Sequence, residues 1–198
     1  MPKILTMLPI ANLIAFVCCF ASFGWAMKRH FRKVNHMPGG AHLIQIVGGI
    51  FTLAHLVALL RWGNSRAATA LVGLLLYCAS FALFWVCIRI NRAAPLSIAF
   101  STDKPAHLIT RGPYRYVRHP FYASYSLAWM AGIVAGRQPW LLISLLAMGA
   151  IYYRAAALEE RKFASGNLAA AYEEYRRHTG MFIPRLAIFT FNQGDQDA

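Results

Sequence analysis

Charged residues are scarce in this chain of 198 residues: they make up 14%, whereas an ordinary soluble domain carries about a quarter. Among the charged residues the acidic ones are the minority, with seven Asp and Glu against 20 Lys and Arg. Hydrophobic residues reach 58%, and the mean hydropathy is +0.44. This composition excludes a soluble globular domain and indicates an integral membrane protein.

Cysteines are also few, and their spacing is not that of a disulfide framework or a metal site. Cys18, Cys19, Cys78 and Cys87 all lie in apolar stretches, without a CxxC motif and without paired histidines at ligand spacing. We interpret them as small apolar residues, and predict neither a disulfide nor a metal site.

Five uncharged runs predict membrane-spanning helices, because about 20 helical residues cross the hydrocarbon core of a bilayer. Residues 5–26 and 67–88 are runs of 22 residues each, and residues 41–60 are a run of 20. Residues 121–136 and 140–153, only 16 and 14 long, flank an Arg-Gln-Pro turn and predict a tight helical hairpin. Runs this short also fit buried core helices or a re-entrant pair. The predicted fold class is all-α, a polytopic membrane protein with about five transmembrane helices.

The basic residues predict the orientation. With five spans, 16 of the 20 Lys and Arg and all seven acids fall on one side. Lys and Arg collect on the cytoplasmic side of membrane spans, so we expect the N-terminus outside and the C-terminus and polar segments in the cytoplasm. The net charge of +13 then reflects topology and attraction to anionic membrane lipids, and no nucleic-acid partner is predicted.

The polar tail contains a C-terminal amphipathic helix. Asn167 is the predicted N-cap, and Gly180 the predicted end. Residues at spacings of 3, 4 and 7 share its apolar face: Leu168, Ala171, Tyr172 and Tyr175. We expect this helix to lie along the cytoplasmic membrane surface or to fold back against the preceding loop.

Two polar clusters flank the predicted hairpin. Residues 111–122, RGPYRYVRHPFY, hold three arginines, a histidine and three tyrosines, and Glu159 and Glu160 follow the last run. An antiparallel hairpin returns His119 and Glu159 to the same membrane face, which makes a candidate small-molecule site. Its carboxylates, cations and aromatic rings suit the amine, carboxylate and sulfonium of S-adenosylmethionine.

The order of these motifs resembles the isoprenylcysteine carboxyl methyltransferase and phospholipid methyltransferase superfamily. GPYRYVRHPFY is followed by about 40 residues with two short spans, then EE, then GNLAAAYEEY and a closing IP. The resemblance covers residues 111–185; the first three spans match only in being spans. It implies a single integral-membrane methyltransferase domain over 1–198, with three spans in 1–90, a catalytic core in 91–185 and a tail in 186–198.

The resemblance also implies the cofactor and its contacts. S-adenosylmethionine would bind on the cytoplasmic side without a Rossmann domain, leaving S-adenosylhomocysteine as product, and the acceptor would enter from the bilayer. Arg118 would lie beside the reacting centre, with Glu159 as the second catalytic residue. The implied cofactor-binding residues are Tyr114, His119, Pro120, Tyr122, Glu159, Glu160, Tyr172 and Tyr175.

The acceptor stays open between a carboxylate such as that of isoprenylcysteine, a phospholipid amine, a quinone-like acceptor and a small thiol. A carboxylate needs no general base, and Arg118 would hold its two oxygens. An amine needs a proton acceptor, for which Glu159, Glu160 and His119 are candidates. Arg111, Arg115 and Tyr116 are read as interfacial anchors.

A non-enzymatic scaffold and a transporter are the alternatives of another class. A transporter would place polar residues near the bilayer midplane, where His55 is the exception among otherwise weakly polar spans. We expect His55 to be packed and hydrogen-bonded. The sequence leaves the oligomeric state open.

Overall fold

The computed structural model describes residues 2–31, 38–63, 66–92, 96–101 and 107–185. Within these ranges the regular structure is helical, which confirms the all-α prediction. The α-helices are α1 (Pro2–Arg29), α2 (Gly39–Trp62), α3 (Ala67–Ile90), α4 (Pro120–Gly136), α5 (Leu142–Ala164) and α6 (Ala169–His178). Two short 3₁₀ helices, Gly112–Arg115 and Pro139–Leu141, precede α4 and α5.

Four segments of the described chain are long and apolar enough to cross a membrane: Met7–Arg29, Gly39–Trp62, Ala67–Ile90 and Pro139–Ala164. Their outward faces carry exposed aliphatic side chains, such as Ile14, Ile50 and Leu146, as expected of a surface in contact with lipid. The chain is therefore an integral, multi-pass membrane protein.

Helix α4, of 17 residues, corresponds to the fourth predicted span and is the most enclosed helix. It packs closely on α3 and also contacts α1, α2 and α5. Small residues allow this approach, as they do between helices in membranes. Ala128, Ala131 and Ala135 are fully or almost fully buried, and a Cβ on Gly73 of α3 would lie 2.6 Å from the Ala135 side chain.

The predicted hairpin between α4 and α5 is confirmed. Arg137 follows α4 with a left-handed φ of 51°, and Pro139 begins the 3₁₀ turn that leads into α5. The predicted bounds of α4, 121–136, differ from the observed helix by one residue.

The predicted extent of the last span, 140–153, is wrong. Helix α5 runs for 23 residues, from Leu142 to Ala164, and contains both Glu159 and Glu160. The uncharged run marked only the apolar part, because Arg, Lys and Glu are good helix formers and do not end a helix. The acidic pair therefore lies within the helix rather than after it.

His55 is packed and hydrogen-bonded, as predicted. It is fully buried, its Nε2 lies 2.7 Å from Ser144 Oγ of α5, and its ring packs edge-on against Trp129 of α4. A Cβ on Gly132 would lie 2.0 Å from His55 Nδ1, so this crossing requires a glycine. The contact fixes α4 and α5 relative to α2, and with them the two halves of the site described below.

Helix α6 folds back against the loop before α4, the second of the two predicted arrangements. Arg118 N donates to Gly180 O at 2.8 Å, and Gly180 N donates to Tyr116 O at 3.1 Å. A Cβ on Gly180 would lie 1.7 Å from Ile183 O, so this turn also requires a glycine.

The predicted ends of α6 need correction. Leu168, not Asn167, occupies the N-cap position, without a side-chain capping bond, and the helix ends at His178, two residues before Gly180. Ala171 is exposed, so the buried face is narrower than predicted and rests on Tyr172 and Tyr175. Packing of these two rings, rather than a cap, decides where the helix lies.

Candidate functional site

The conformation of the loop before α4 divides its side chains between the interior and the surface. Gly112 takes a left-handed φ of 61°, and the following 3₁₀ turn buries Tyr114 while leaving Tyr116 60% exposed. Arg111 and Arg115 are exposed, as expected of interfacial anchors. Pro120 is the first residue of α4, where its missing N–H costs nothing.

His119 joins the start of α4 to the acidic pair of α5, as the hairpin predicted. Its Nδ1 lies 3.5 Å from Glu159 Oε2, and its Nε2 lies 3.2 Å from Glu160 Oε1. Tyr122 Oη, one turn into α4, donates to Glu159 Oε1 at 2.9 Å.

The two carboxylates determine the charge of His119. Burial alone would lower its pKa, but the contacts with Glu159 and Glu160 outweigh burial and raise the pKa above 6.5. A carboxylate lies near each ring nitrogen, and both favour the protonated form of the ring.

Arg118 lines the cavity and is held in place by other parts of the protein. Its Nε donates to Glu160 Oε1 at 2.8 Å and its Nη2 to Glu160 Oε2 at 3.5 Å. Its Nη1 donates to the backbone carbonyls of Arg176 and Thr179. The last turn of α6 and the residue after it supply these acceptors, which no side-chain pattern reveals. A place for Arg118 beside the reacting centre stays a prediction.

Tyr175 connects α6 to the loop before α4. Its Oη donates to Tyr114 O at 2.7 Å, and Asn91 Nδ2, at the end of α3, donates to Tyr114 Oη at 2.8 Å. Tyr172 stacks on Phe163 of α5, with ring centroids 4.6 Å apart. Burial raises the pKa of Tyr114, Tyr172 and Tyr175, so all three are neutral phenols at physiological pH.

These elements enclose a cavity of about 160 Å³. All but one of the site residues expected from the sequence contribute to its walls: Tyr114, Arg118, His119, Pro120, Tyr122, Glu159, Tyr172 and Tyr175. Glu160 is the exception, since it lies behind the wall and contacts Arg118 and His119. No described cluster of His, Cys, Asp and Glu is arranged to hold a metal ion.

The cavity walls combine polar and apolar side chains. Besides Glu159 and His119, the polar ones include Lys162, Ser101 and His107, which the sequence motifs do not indicate. The apolar walls come from α1, α2 and the segments before the motif: Met27, Phe31, Ile44, Leu96, Ile98 and Ile109. Lys162 lies three residues after Glu159, a helical spacing visible in the sequence once α5 is known to extend that far.

A family model for phospholipid methyltransferases matches residues 67–170, more than half of the chain. The chain belongs to the phospholipid methyltransferase family. This confirms the superfamily expected from the motifs. The match begins at α3, so the third span shares more with the family than expected, and it ends before Tyr172 and Tyr175.

Two relatives of this methyltransferase-family chain have names that refer to metal resistance. The chain is 28% identical over 149 residues to the nickel-cobalt-cadmium resistance protein NccN of Alcaligenes xylosoxydans xylosoxydans. The aligned residues make up 73% of the chain and 64% of NccN. The chain is 33% identical over 97 residues to the cobalt-zinc-cadmium resistance protein CzcN of Cupriavidus metallidurans. The aligned residues make up 47% of the chain and 43% of CzcN. The chain thus spans less than two thirds of either relative.

Proposed function

We propose that this protein transfers a methyl group from S-adenosylmethionine to a lipophilic acceptor that enters from the bilayer, with a carboxylate as the first candidate for the accepting group. The observation that carries the proposal is a single cavity with both kinds of wall. Glu159 and His119 line it together with apolar side chains of membrane-spanning helices, such as Met27 and Ile44. Such a cavity suits a polar cofactor beside an apolar acceptor.

The polar and aromatic walls of the cavity offer donors, acceptors and ring faces that suit S-adenosylmethionine. Glu159 offers a carboxylate for the ammonium or the ribose hydroxyls. Tyr122 and Tyr152, with rings stacked 5.3 Å apart, offer aromatic surface for a sulfonium. His107 has a buried Nε2 without a hydrogen-bond partner among the described residues, and this atom is available to a polar ligand.

When bound, the cofactor supplies an electrophilic methyl group on its sulfonium. The contribution of the protein is to hold the acceptor about 3 to 3.5 Å away in line with that group, and to exclude water. Tyr172 and Tyr175 of α6 form part of the cavity wall beside the motif loop and serve the second purpose.

The acceptor decides whether a proton must be removed. A carboxylate acceptor requires no base. For an amine acceptor Glu159 is the better candidate, because the two carboxylates beside His119 favour its protonated form and so oppose its action as a base. In this proposal Arg118 is a positioning residue, held by Glu160 of α5 and by backbone carbonyls at the end of α6.

We further propose that the site faces the cytoplasm, with the N-terminus outside. The support is the unequal distribution of Lys and Arg between the two sides of the predicted spans.

Methyl transfer from S-adenosylmethionine with a labelled methyl group tests the proposal. The purified protein is offered a prenylcysteine, phosphatidylethanolamine and an alkyl thiol, and label is measured in the organic phase. We expect transfer to at least one acceptor, loss of transfer in Glu159→Ala, and full transfer in Glu174→Ala, which changes an exposed acid of α6. No transfer by wild type to any of the three would contradict the proposal.

A second proposal follows from the likeness to NccN and CzcN: methyl transfer by this protein contributes to tolerance of nickel, cobalt or cadmium. Growth in each metal is compared with wild type, Glu159→Ala or an empty vector. Protection by wild type alone supports an enzymatic contribution. Equal protection by Glu159→Ala would favour the non-enzymatic scaffold or the transporter instead.

A further inference from the structure

Three basic side chains are among the described walls of the cavity: Arg118, His119 and Lys162. Arg118 is paired with Glu160 at 2.8 Å, and His119 lies 3.5 Å or less from both Glu159 and Glu160. Both positive charges are therefore already balanced by carboxylates of the protein. A ligand anion in this cavity needs another partner.

Lys162 is that partner, because it lines the cavity and its ammonium is hydrogen-bonded to a neutral carbonyl. Its Nζ donates to the backbone carbonyl of Ser101, and no ion pair of Lys162 with a carboxylate occurs in the described part of the chain. An ammonium has three donors, so this contact leaves two N–H groups available. Residues three apart lie on the same side of a helix, and both Glu159 and Lys162 of α5 line the cavity.

We propose that Lys162 is a specificity-determining residue that binds the carboxylate of the methionine portion of S-adenosylmethionine, while Glu159 binds the adjacent ammonium. This assignment rests on the proposed function. The two residues form a pair of opposite charges on one face of α5, and the amino-acid end of the cofactor is a zwitterion that matches the pair. The Ser101 carbonyl holds the lysine in place for this contact.

The consequence is selectivity for a ligand with an intact amino-acid end. S-adenosylhomocysteine and its decarboxylated form, S-adenosyl-3-thiopropylamine, differ only in the carboxylate. A charge-assisted hydrogen bond to that group corresponds to a difference in affinity of about tenfold to a hundredfold. Removing the ammonium of Lys162 should abolish this difference without changing the affinity for the decarboxylated compound.

Calorimetry with the full-length protein in detergent tests the assignment. Both ligands are titrated into wild type, Lys162→Met, Lys162→Arg and Arg161→Met, the last of which changes an exposed neighbour on α5. We expect wild type, Lys162→Arg and Arg161→Met to prefer S-adenosylhomocysteine. Lys162→Met should lose the preference and bind the decarboxylated compound as wild type does, which also shows that this variant is folded.

Two results would overturn the assignment while leaving the proposed function intact. One is binding of S-adenosylhomocysteine by wild type with a preference that Lys162→Met retains in full. The other is an equal loss of affinity for both ligands in Lys162→Met, which would indicate a structural role. Failure of wild type to bind either ligand would overturn the proposed function and this assignment together.

Discussion

Arg118 and Glu160 form an ion pair, with Nε 2.8 Å from Oε1, that joins the loop before α4 to the C-terminal half of α5. Both side chains are largely buried, at 9% and 14% exposure. The same guanidinium donates to the backbone after α6, so a single side chain links three segments around the cavity. Glu160 thus stabilises the site from behind the wall, and Arg118 is the wall residue that it holds.

The first prediction concerns this pair. Arg118→Ala leaves Glu160 as a nearly buried charge without its main partner, which costs about 3 kcal/mol of unfolding free energy. We expect a fall in Tm of roughly 6 to 12 °C in thermal unfolding in detergent. Arg176→Ala, which removes an exposed pair with Glu173, should have little effect. Equal shifts for the two variants would contradict this account.

The second prediction concerns pH. Burial would lower the pKa of His119, but Glu159 and Glu160 raise it above 6.5, so the folded protein holds this proton more tightly than the unfolded chain. The resulting stabilisation is complete below pH 6.5 and is lost as pH rises through the raised pKa. We expect the Tm of wild type to fall more steeply above roughly pH 7 than that of His119→Gln. Parallel curves for the two proteins would show that this proton does not contribute.

The third prediction concerns the helix crossing at His55. A methyl group at Gly132 would lie 2.0 Å from His55 Nδ1, so Gly132→Ala must displace the ring or the helix and costs about 2 kcal/mol. Gly149→Ala is the matched control, since a Cβ on Gly149 of α5 meets no atom within 4 Å. We expect Gly132→Ala alone to lower the Tm. An unchanged Tm would mean that His55 can move at no cost.

The fourth prediction concerns the link between α6 and the loop before α4. Tyr175→Phe removes the hydrogen bond to Tyr114 O and leaves that carbonyl without its donor. We expect faster amide hydrogen exchange in residues 112–119 at unchanged exchange in α3. Tyr116→Phe, on the exposed side of the same loop, should leave the exchange as it is in wild type. Normal protection in Tyr175→Phe would show that this hydrogen bond from α6 does not restrain the loop before α4.

The sequence was sufficient for the features that depend on local signals. The uncharged run after the His-Pro step gave α4 within one residue, because a proline at the first helical position and a continuous apolar segment both act locally. The antiparallel hairpin then required His119 and Glu159 to meet, and they do.

Other features had no local signal. The end of α5 was missed because charged residues continue a helix beyond the membrane core, and Lys162 was missed with it. The partners of Arg118 include backbone carbonyls of residues 176 and 179, and backbone groups are the same at every position in a sequence. The contact of Asn91 with Tyr114 joins residues 23 apart in the chain, and no local pattern indicates it.

Equilibrium binding of S-adenosylhomocysteine tests the central claim most directly, since it depends on neither the identity of the acceptor nor the rate of the reaction. Calorimetry on the detergent-purified protein should give saturable binding to wild type, at least tenfold weaker binding to Glu159→Ala, and unchanged binding to Glu174→Ala. Absence of binding to folded wild type, or equal affinity for wild type and Glu159→Ala, would contradict the account.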